Sequence, residues 1–329
     1  MDKIDFVITW VDGSDPFWIE NKKKYAMNVD LKMNDDSRFR DWEFLKYWFR
    51  SIETNASWVN KVFFITEGHI PSWLNVENDK LVVVRHDEYI KSTFLPTFNS
   101  NVIELNIHKI KGLSDKFVLF NDDMFINKKV EKSAFFKNGL PVDSGIFSPQ
   151  IPKSGGISSI TSNNIEIINK YFDRNSVLKG NIHKYFRFQY GKHLIKNFVV
   201  LFWNNILGFY DTHIPISYKK STFEKVWSLE ESLLLETTKH RFRTRSDINH
   251  WLMRYWQLCE GDFSPKSIAD GKYYNIDESI DEICNEILNP RHKFICLNDG
   301  DGVKNFEFYK IRINRCFAKR YPIKSSFEI

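Results

Sequence analysis

Four apolar residues, Phe117-Val118-Leu119-Phe120, run directly into the polar triplet Asn121-Asp122-Asp123. The apolar run is typical of a buried β-strand, and the triplet is typical of a loop at the carboxyl end of that strand. Two adjacent carboxylates repel each other, and this repulsion is costly unless a cation neutralises it. Mg²⁺ binds carboxylates together with water and substrate phosphate oxygens. The stretch therefore predicts a strand that ends at a metal or pyrophosphate site, with an ordinary solvated turn as the alternative.

Similar apolar runs precede this strand along the chain. They cover residues 4–10, 61–66 and 81–84, and helical patterns cover residues 41–57 and 102–111. Strands that alternate with helices at this spacing predict parallel βαβ units. We therefore predict an α/β fold of the Rossmann-like type, with a mainly parallel sheet flanked by helices. Ligands of such sheets bind beyond the carboxyl ends of the strands, where both the acidic turn after the first strand and the acidic triplet fall.

A second polar run follows an apolar strand near the end of the chain. Residues 294–297 are apolar, and Asn298-Asp299-Gly300-Asp301-Gly302 follows them. The two strand-end clusters could meet over one ion, although Asn-Asp-Gly is also an ordinary turn sequence. In the turn after the first strand, Gly13 permits close approach of the backbone to a ligand. That turn lacks the glycine spacing of a P-loop or a dinucleotide fingerprint.

Two further regions carry candidate catalytic groups. His213 precedes an Ile-Pro pair at the start of a new segment and could act as a general base, although a single histidine is more often structural. Arg241, Arg243 and Arg245 alternate before Asp247. On a strand, this alternation would put the three guanidinium groups on one face, where they suit phosphate. The alternative is a solvated edge strand.

Composition and charge restrict the classes of partner. The chain has 329 residues, 42% of them hydrophobic, and a net charge of +5. Its basic residues are spread out, apart from a local excess between Lys179 and Lys196. A nucleic-acid-binding protein of this size usually carries a concentrated basic patch. We therefore expect no nucleic-acid partner, and we favour an anionic small substrate or a weakly attracted membrane surface.

The middle of the chain differs from both ends. Residues 150–212 are polar, basic and aromatic, and they begin with a stretch that contains proline and glycine. We predict a catalytic α/β domain formed by residues 1–150 and 210–329. Residues 151–209 are predicted to be an accessory helical insertion that contacts the acceptor. Further helices are predicted from about residue 223 to 239 and from 246 to 258, on the basis of their apolar periodicity.

The cysteines and the N-terminus predict a cytoplasmic protein. Cys259, Cys284, Cys296 and Cys316 have spacings unlike those of a zinc knuckle or a disulfide scaffold, so we expect reduced, mostly buried thiols. The chain opens with charged residues where a signal peptide would be apolar. The longest apolar stretch, residues 198–203, is too short to span a bilayer.

Taken together, these motifs resemble the Stealth family of hexose-1-phosphate transferases, which has four ordered regions. The first region is similar to residues 4–16, and the second is similar to blocks that run from Arg38 to Asp123. The third resembles the segment around His213, and the last resembles residues 294–299. The match is dense over the first 125 residues and spaced over the final third, and no family motif is found between residues 150 and 210.

The resemblance implies an enzyme that moves a sugar-1-phosphate, such as N-acetylglucosamine-1-phosphate, from a UDP-sugar to the hydroxyl of a glycan acceptor. UMP would be released, and the product would be a phosphodiester in capsule or exopolysaccharide synthesis. A glycosyltransferase-like sheet and a divalent cofactor, Mg²⁺ or Mn²⁺, are also implied. We expect peripheral association with membrane capsule-assembly machinery at the inner face of the membrane. A metal-dependent glycosyltransferase that releases UDP and a non-catalytic glycan-binding protein are the alternatives.

The resemblance also implies which residues form the site. We assign Asp123 and Asp299 to the metal, with Asp122 and Asn298 in support. Arg243 would hold the transferring phosphoryl oxygens. His213 is the first choice for the general base and Glu104 is its competitor. Substrate contacts are expected from Asp5, Trp10, Asp12, Gly13, Arg40 and Asp247.

Overall fold

The computed structural model describes residues 3–26, 29–30, 33–35, 39–152, 157–300 and 303–329. Arg38, Asp301 and Gly302 of the predicted motifs lie outside these ranges. The strands are β1 (Asp5–Thr9), β2 (Val62–Thr66), β3 (Leu81–Arg85), β4 (Lys116–Phe120), β5 (Met124–Ile126), β6 (Phe136–Lys137), β7 (Leu140–Asp143), β8 (Ile216–Lys219), β9 (Ser264–Pro265), β10 (Gly271–Asn275) and β11 (Phe294–Asn298).

The α-helices alternate with these strands in the first half of the chain and cluster in the second half. They are α1 (Pro16–Tyr25), α2 (Leu45–Asn55), α3 (Ser100–Leu105), α4 (Ser158–Tyr171), α5 (Arg174–Leu178), α6 (Ile182–Tyr185), α7 (Leu194–Val199), α8 (Lys220–Leu229), α9 (Glu231–Thr238), α10 (Trp251–Cys259), α11 (Ile280–Leu288) and α12 (Phe306–Arg320). None of the helices in the described ranges is long and apolar enough to cross a membrane.

The central sheet has five strands in the order β3-β2-β1-β4-β8. β1 pairs in parallel with β2 on one side and with β4 on the other, and β2 pairs in parallel with β3. β8 joins the edge of the sheet antiparallel to β4. The prediction of an α/β fold with a mainly parallel sheet is therefore confirmed. The strand order reverses between β1 and β4. A ligand is therefore expected in the crevice outside the carboxyl ends of these two strands.

The central strands are apolar on both faces because each face is covered. Successive strand side chains point to opposite faces of a sheet. In β1, Phe6 and Ile8 belong to one core cluster and Val7 belongs to another. In β4, Phe120 belongs to the first of these clusters and Leu119 to the second. Burial on both sides explains why these strands are continuous hydrophobic runs in the sequence.

Different elements cover the two faces of the sheet. On the first face, α2 packs with α11, α12 and a small sheet of strand order β10-β11-β5. In that small sheet β11 is parallel to β10 and antiparallel to β5. The second face is covered by helices that include α3, α4, α8 and α10. A further small sheet has the order β6-β7-β9.

The described part of the predicted accessory segment is helical. It contains α4 to α7, together with 3-10 helices at Phe188–His193 and Val200–Phe202. Helix α4 packs against α10 from the later part of the chain. The division of the chain into a catalytic domain and an insertion remains a prediction.

Two predictions about local structure were wrong. The helix predicted from about residue 223 to 239 is two helices, α8 and α9, which meet at Glu230. Arg241–Arg245 is a loop and not a strand. The loop folds around Asp247, whose buried carboxylate accepts hydrogen bonds from Asn99 and Thr244 at 2.8 and 2.7 Å. These local hydrogen bonds replace the ladder that a strand would need.

Candidate active site

A cleft with a volume of about 970 Å³ opens beyond the carboxyl ends of β1 and β4. Thr9 and Trp10 line it from the end of β1, and the triplet Asn121–Asp123 lines it from the end of β4. Open α/β sheets bind their ligands where the strand order reverses, in the crevice at the carboxyl ends of the strands. The cleft is therefore the candidate active site.

The turn after β4 presents Asp122 and Asp123 to this cleft. The carbonyl oxygen of Asp123 accepts a hydrogen bond from Leu297 N at 2.9 Å, and its Oδ2 accepts one from the Cys296 thiol at 3.2 Å. Burial raises the pKa of Asp123 despite the nearby charge of His213. Asp122 lines the cleft, and its pKa is raised to about 7, first by lost hydration and then by the charge of Asp123. Both carboxylates favour a cation in the cleft.

His213 enters the cleft from the loop that precedes β8. Its φ of +48° lies in the left-handed region, which is strained for a residue with a side chain. The backbone N of His213 donates to Asp211 Oδ1 at 3.1 Å, and its Nδ1 lies 3.6 Å from Asp211 Oδ2. Burial alone would lower the pKa of His213, but its pairing with Asp211 and the charge of Asp123 outweigh burial and raise the pKa to about 9. Asp211 therefore holds the imidazole in position and favours its charged form.

A buried arginine supports this loop from behind. The Nε and Nη2 groups of Arg254, on α10, donate to the two carboxylate oxygens of Asp143 at 2.7 and 2.9 Å. Nη2 also donates to the carbonyl of Tyr210 at 2.9 Å, and Nη1 lies 4.0 Å from Asp211 Oδ1. Burial would raise the pKa of Asp211, but His213 and Arg254 outweigh burial and lower it to about 2. Arg254 lies between Asp143 and Asp211, and its positive charge helps to keep Asp211 ionised.

One cluster of side chains in the described part of the chain could hold a metal ion. It consists of Asp123, His213 and Cys296, whose possible ligand atoms lie within 4.8 Å of one another. Among the same residues, the buried Asp123 Oδ1 has no hydrogen-bond partner. A buried carboxylate oxygen of this kind is suited to ligate a cation. Burial and the charge of Asp123 raise the pKa of the Cys296 thiol well above its ordinary value, which keeps it a hydrogen-bond donor. With Cys296 and His213 protonated, Asp123 is the member of this group that can ligate a cation, through Oδ1.

The sequence predicted three carboxylate ligands for the metal. Asp123 belongs to the cluster with His213 and Cys296, whereas Asp122 and Asp299 do not. Asp299 Oδ2 accepts a hydrogen bond from the Trp42 indole at 3.0 Å, and Arg40 Nη1 lies 3.7 Å from its Oδ1. All of these residues line the cleft, as does Asn298. The pairing of β5 with β11 brings the two acidic runs to the same cleft, as the sequence suggested.

Glu104 and Arg243 also line the cleft. Glu104 is buried, and its Oε2 lies 3.5 Å from His250 Nε2. Burial raises the pKa of Glu104 to about 7, although the charge of Arg243 and a hydrogen bond from Ser100 act to lower it. Arg243 Nη2 donates to Ser100 Oγ at 2.6 Å. The guanidinium and the carboxylate are thus held beside the same serine.

Four predicted substrate-binding residues do not line the cleft. They are Asp5, Asp12, Gly13 and Asp247. Asp5 is fully buried at the amino end of β1, where it accepts hydrogen bonds from Asn60 Nδ2 and Ser114 N at 2.6 and 2.8 Å. Asp247 acts indirectly, because it organises the loop that carries Arg243. In the structure, Asp5 therefore supports the start of β1, and Asp247 supports the Arg243 loop.

The turn after β1 has a packing role in the structure. Asp12 Oδ1 accepts hydrogen bonds from the backbone N and the hydroxyl of Ser14, at 2.9 and 2.6 Å. A Cβ added at Gly13 would lie 1.8 Å from the carbonyl oxygen of Phe39. Gly13 is therefore needed for close approach of this chain's own backbone, whereas the sequence had suggested close approach of a ligand. Trp10 and Arg40, the other two predicted contacts, do line the cleft.

Several residues of the site were not predicted from the sequence. Asp211 and Arg254 support His213, His250 faces Glu104, and Cys296 donates to Asp123. Burial lowers the pKa of His250 to about 3, so its ring is neutral beside Glu104. The one available signal was Arg254, the only charged residue in the helix sequence WLMRYWQLC.

Comparisons with known proteins agree with these motifs. Residues 2–30 match the family model for Stealth conserved region 1, and residues 38–142 match that for conserved region 2. The chain is 50% identical to the capsular polysaccharide phosphotransferase WcwK of Streptococcus pneumoniae, with 100% of this chain and 98% of that protein covered. It is 40% identical to the exopolysaccharide phosphotransferase cps2G of Lactiplantibacillus plantarum, with 99% and 96% covered.

Solved structures resemble the chain only distantly. The apo-form glycosyltransferase GlyE of Streptococcus pneumoniae aligns with a TM-score of 0.41 and 11% sequence identity. The alignment covers 100% of this chain and 65% of that one.

Proposed function

The chain belongs to the Stealth protein family, and on that premise we propose that it is a phosphotransferase of capsule or exopolysaccharide synthesis. It moves a sugar-1-phosphate from a UDP-sugar to a hydroxyl of a glycan acceptor and releases UMP. The observation that carries the proposal is that Asp123, His213 and Arg243 line one cleft. Phosphoryl transfer depends mainly on positioning and on neutralising charge around the phosphoryl group, and these groups suit both tasks.

The proposed reaction breaks the pyrophosphate and leaves the sugar intact. The acceptor oxygen attacks the phosphorus nearer the sugar, and a new P–O bond forms. The bond from that phosphorus to the bridging oxygen breaks, and its electron pair leaves with UMP. Because the anomeric C–O bond of the sugar is never broken, the product retains the anomeric configuration of the donor.

Charge neutralisation is assigned to three groups of the cleft. The planar guanidinium of Arg243, fixed by Ser100 and by the Asn34 side chain that bonds its backbone, can donate to two phosphoryl oxygens. The positive charge of His213 suits the same oxygens. A divalent cation held at Asp123, such as Mg²⁺ or Mn²⁺, would supply electrostatic stabilisation of the pyrophosphate. Asp122, Asn298 and Asp299 line the same cleft and would support it.

Glu104 is the proposed general base. A base works best when its pKa lies near the working pH, and burial raises the pKa of Glu104 to about 7. His213, the first choice from the sequence, is paired with Asp211 and holds its proton more tightly, with a pKa of about 9. Glu104 would take the proton from the acceptor hydroxyl as the new P–O bond forms.

The acceptor is assigned to a side pocket of the cleft. This pocket has a volume of about 490 Å³, and its walls share Ile157, Tyr210 and Trp251 with the cleft. Aromatic rings such as those of Tyr210 and Trp251 are platforms for sugar rings. Ser158 and Thr161 of α4 also line the pocket, together with Asp211 and residues 148–150. The proposed acceptor site thus includes residues of the segment that was predicted to contact the acceptor.

Nucleotide release tests the proposal. UDP-N-acetylglucosamine is incubated with candidate glycans, with and without Mg²⁺, and the released nucleotide is identified by chromatography. We expect release of UMP that depends on the metal and is lost in Asp123→Asn. The control is Asp87→Asn, which removes the carboxylate that pairs with the exposed Arg85. This control should release UMP as the unmodified protein does. Release of UDP would establish a glycosyltransferase instead. Glycan binding without turnover for a panel of UDP-sugars would favour the binding-protein alternative.

A further inference from the structure

One segment of the surface carries large apolar side chains that face water. In residues 182–203, which we call the aromatic surface, these exposed side chains are Ile182, Phe188, Ile195, Phe198, Val199, Leu201, Phe202 and Trp203. Phe188 is 96% exposed and Phe202 is 86% exposed. Single exposed apolar residues are common on proteins, but a concentrated set marks a surface that binds something.

The backbone of this segment is anchored, so the apolar side chains are held outward. In α7 and the 3-10 helix that follows it, Ile195, Phe198 and Phe202 are spaced at i, i+3 and i+7, which places them on one helical face. Asn197 and Val200 are buried on another face. The Asn197 side chain makes three hydrogen bonds of 2.6–2.7 Å to backbone groups of neighbouring segments. The protein therefore fixes one side of the helix and presents the other.

The segment that carries this surface has ionisable side chains of one sign. Residues 174–210 contain six lysines and arginines and two histidines, and they contain no aspartate or glutamate. Arg187 and Lys192 are exposed, and neither forms an ion pair with a carboxylate in the part of the chain that the structure describes. Apolar side chains beside unpaired cations suit an anionic lipid surface, where the former enter the acyl boundary and the latter meet the headgroups. A second copy of this chain would instead bring two basic surfaces together.

We propose that the aromatic surface binds the face of an anionic membrane, with the protein lying on the bilayer. The aromatic surface adjoins the cleft at Tyr210, a residue that lines the cleft. Lys196 Nζ lies 4.5 Å from the ring centre of Tyr210, and the His193 ring centre lies 4.6 Å from it. A glycan acceptor held at the membrane would therefore be close to the acceptor pocket. This consequence rests on the proposed function, whereas membrane binding does not.

Co-sedimentation with vesicles tests the proposal without any substrate. The probes are vesicles of phosphatidylcholine alone and of phosphatidylcholine mixed with anionic phosphatidylglycerol. We expect binding to the anionic vesicles that weakens as salt is raised, because salt screens the attraction. Arg187→Glu/Lys192→Glu should weaken binding by about thirtyfold or more, since each cation near an anionic surface contributes about fivefold.

Matched variants separate this surface from general effects. Phe188→Ser/Phe202→Ser should also lose binding, and it should keep its thermal stability because both side chains are exposed. The controls Phe17→Ser/Ile323→Ser and Lys129→Glu/Lys319→Glu change exposed residues elsewhere and should bind as the unmodified protein does. Equal binding by all variants, or no binding to anionic vesicles, would overturn the proposal. A dimer in sedimentation velocity that Phe188→Ser/Phe202→Ser abolishes would also overturn it, in favour of self-association.

Discussion

Glu104 illustrates how burial changes the chemistry of an ordinary carboxylate. Its charge is disfavoured because protein replaces most of its water, and its pKa rises to about 7. Arg243, His213 and the neutral His250 surround it, and the buried Tyr89 is close enough for its own pKa to be affected by the Glu104 charge. Neither the helix that carries Glu104 nor its neighbours in sequence indicate this environment.

We predict that activity rises with pH through about 7 and that Glu104 causes this rise. A base must be deprotonated to accept a proton, so activity should be low below the pKa of Glu104 and high above it. Glu104→Gln should lower kcat by about 10²–10⁴-fold and remove the acidic limb of the profile. The measurement is kcat against pH for both proteins. An acidic limb that persists near pH 7 in Glu104→Gln would show that Glu104 is not the base that causes it.

At the scale of the element, α10 holds the loop that carries His213. Arg254 projects from an apolar helix, binds both oxygens of Asp143 at the end of β7, and donates to the Tyr210 carbonyl within the loop. A helix, a strand end and a loop are thus joined by one buried guanidinium. The strained φ of His213 can persist because these contacts determine the path of the loop.

We predict that Arg254→Met lowers the free energy of unfolding by about 3–5 kcal/mol, because it leaves Asp143 buried and unpaired. Arg254→Met/Asp143→Leu should be more stable than this single variant, since it removes both charges together. Urea denaturation of the three proteins measures the difference. A double variant no more stable than Arg254→Met would show that the ion pair is not the source of the effect.

At the scale of the whole molecule, the cleft is formed by segments that are distant in sequence. The end of β4, the loop before β8 and the end of β11 contribute Asp123, His213 and Asn298 to one cavity. A cation bound there would connect these segments. Binding to the folded state only stabilises a protein by about 2.7 kcal/mol when the ligand is present at a hundred times its Kd.

We therefore predict that Mg²⁺ or Mn²⁺ raises the melting temperature of the protein relative to EDTA, and that Asp123→Asn abolishes the shift. Differential scanning calorimetry over a range of metal concentrations provides the measurement. The control Asp87→Asn should keep the full shift. An equal shift in Asp123→Asn would place the cation elsewhere in the molecule.

The sequence by itself determined the four parallel strands of the central sheet and the location of the acidic turns, whereas the antiparallel edge strand β8 was not predicted. Strands buried on both faces must be continuously apolar, so β1, β2 and β4 are recognisable in the sequence without any knowledge of their partners. Because ligands of parallel sheets bind at the carboxyl ends of the strands, Asp122 and Asp123 could also be placed at the crevice. Local composition contains this information, since it depends only on burial and on the direction of the chain.

Only the tertiary structure decided which side chains meet. Arg254 reaches Asp143 and Asp211 from a separate element, and the sequence separations of these contacts leave no local pattern to detect. The same reason explains why the sequence did not show that Asp5 and Gly13 lie outside the lining of the cleft, because their packing partners, such as Phe39, are distant in the sequence. Burial, and with it the pKa of a carboxylate, is a property of the assembled core and not of the residues beside it in the chain.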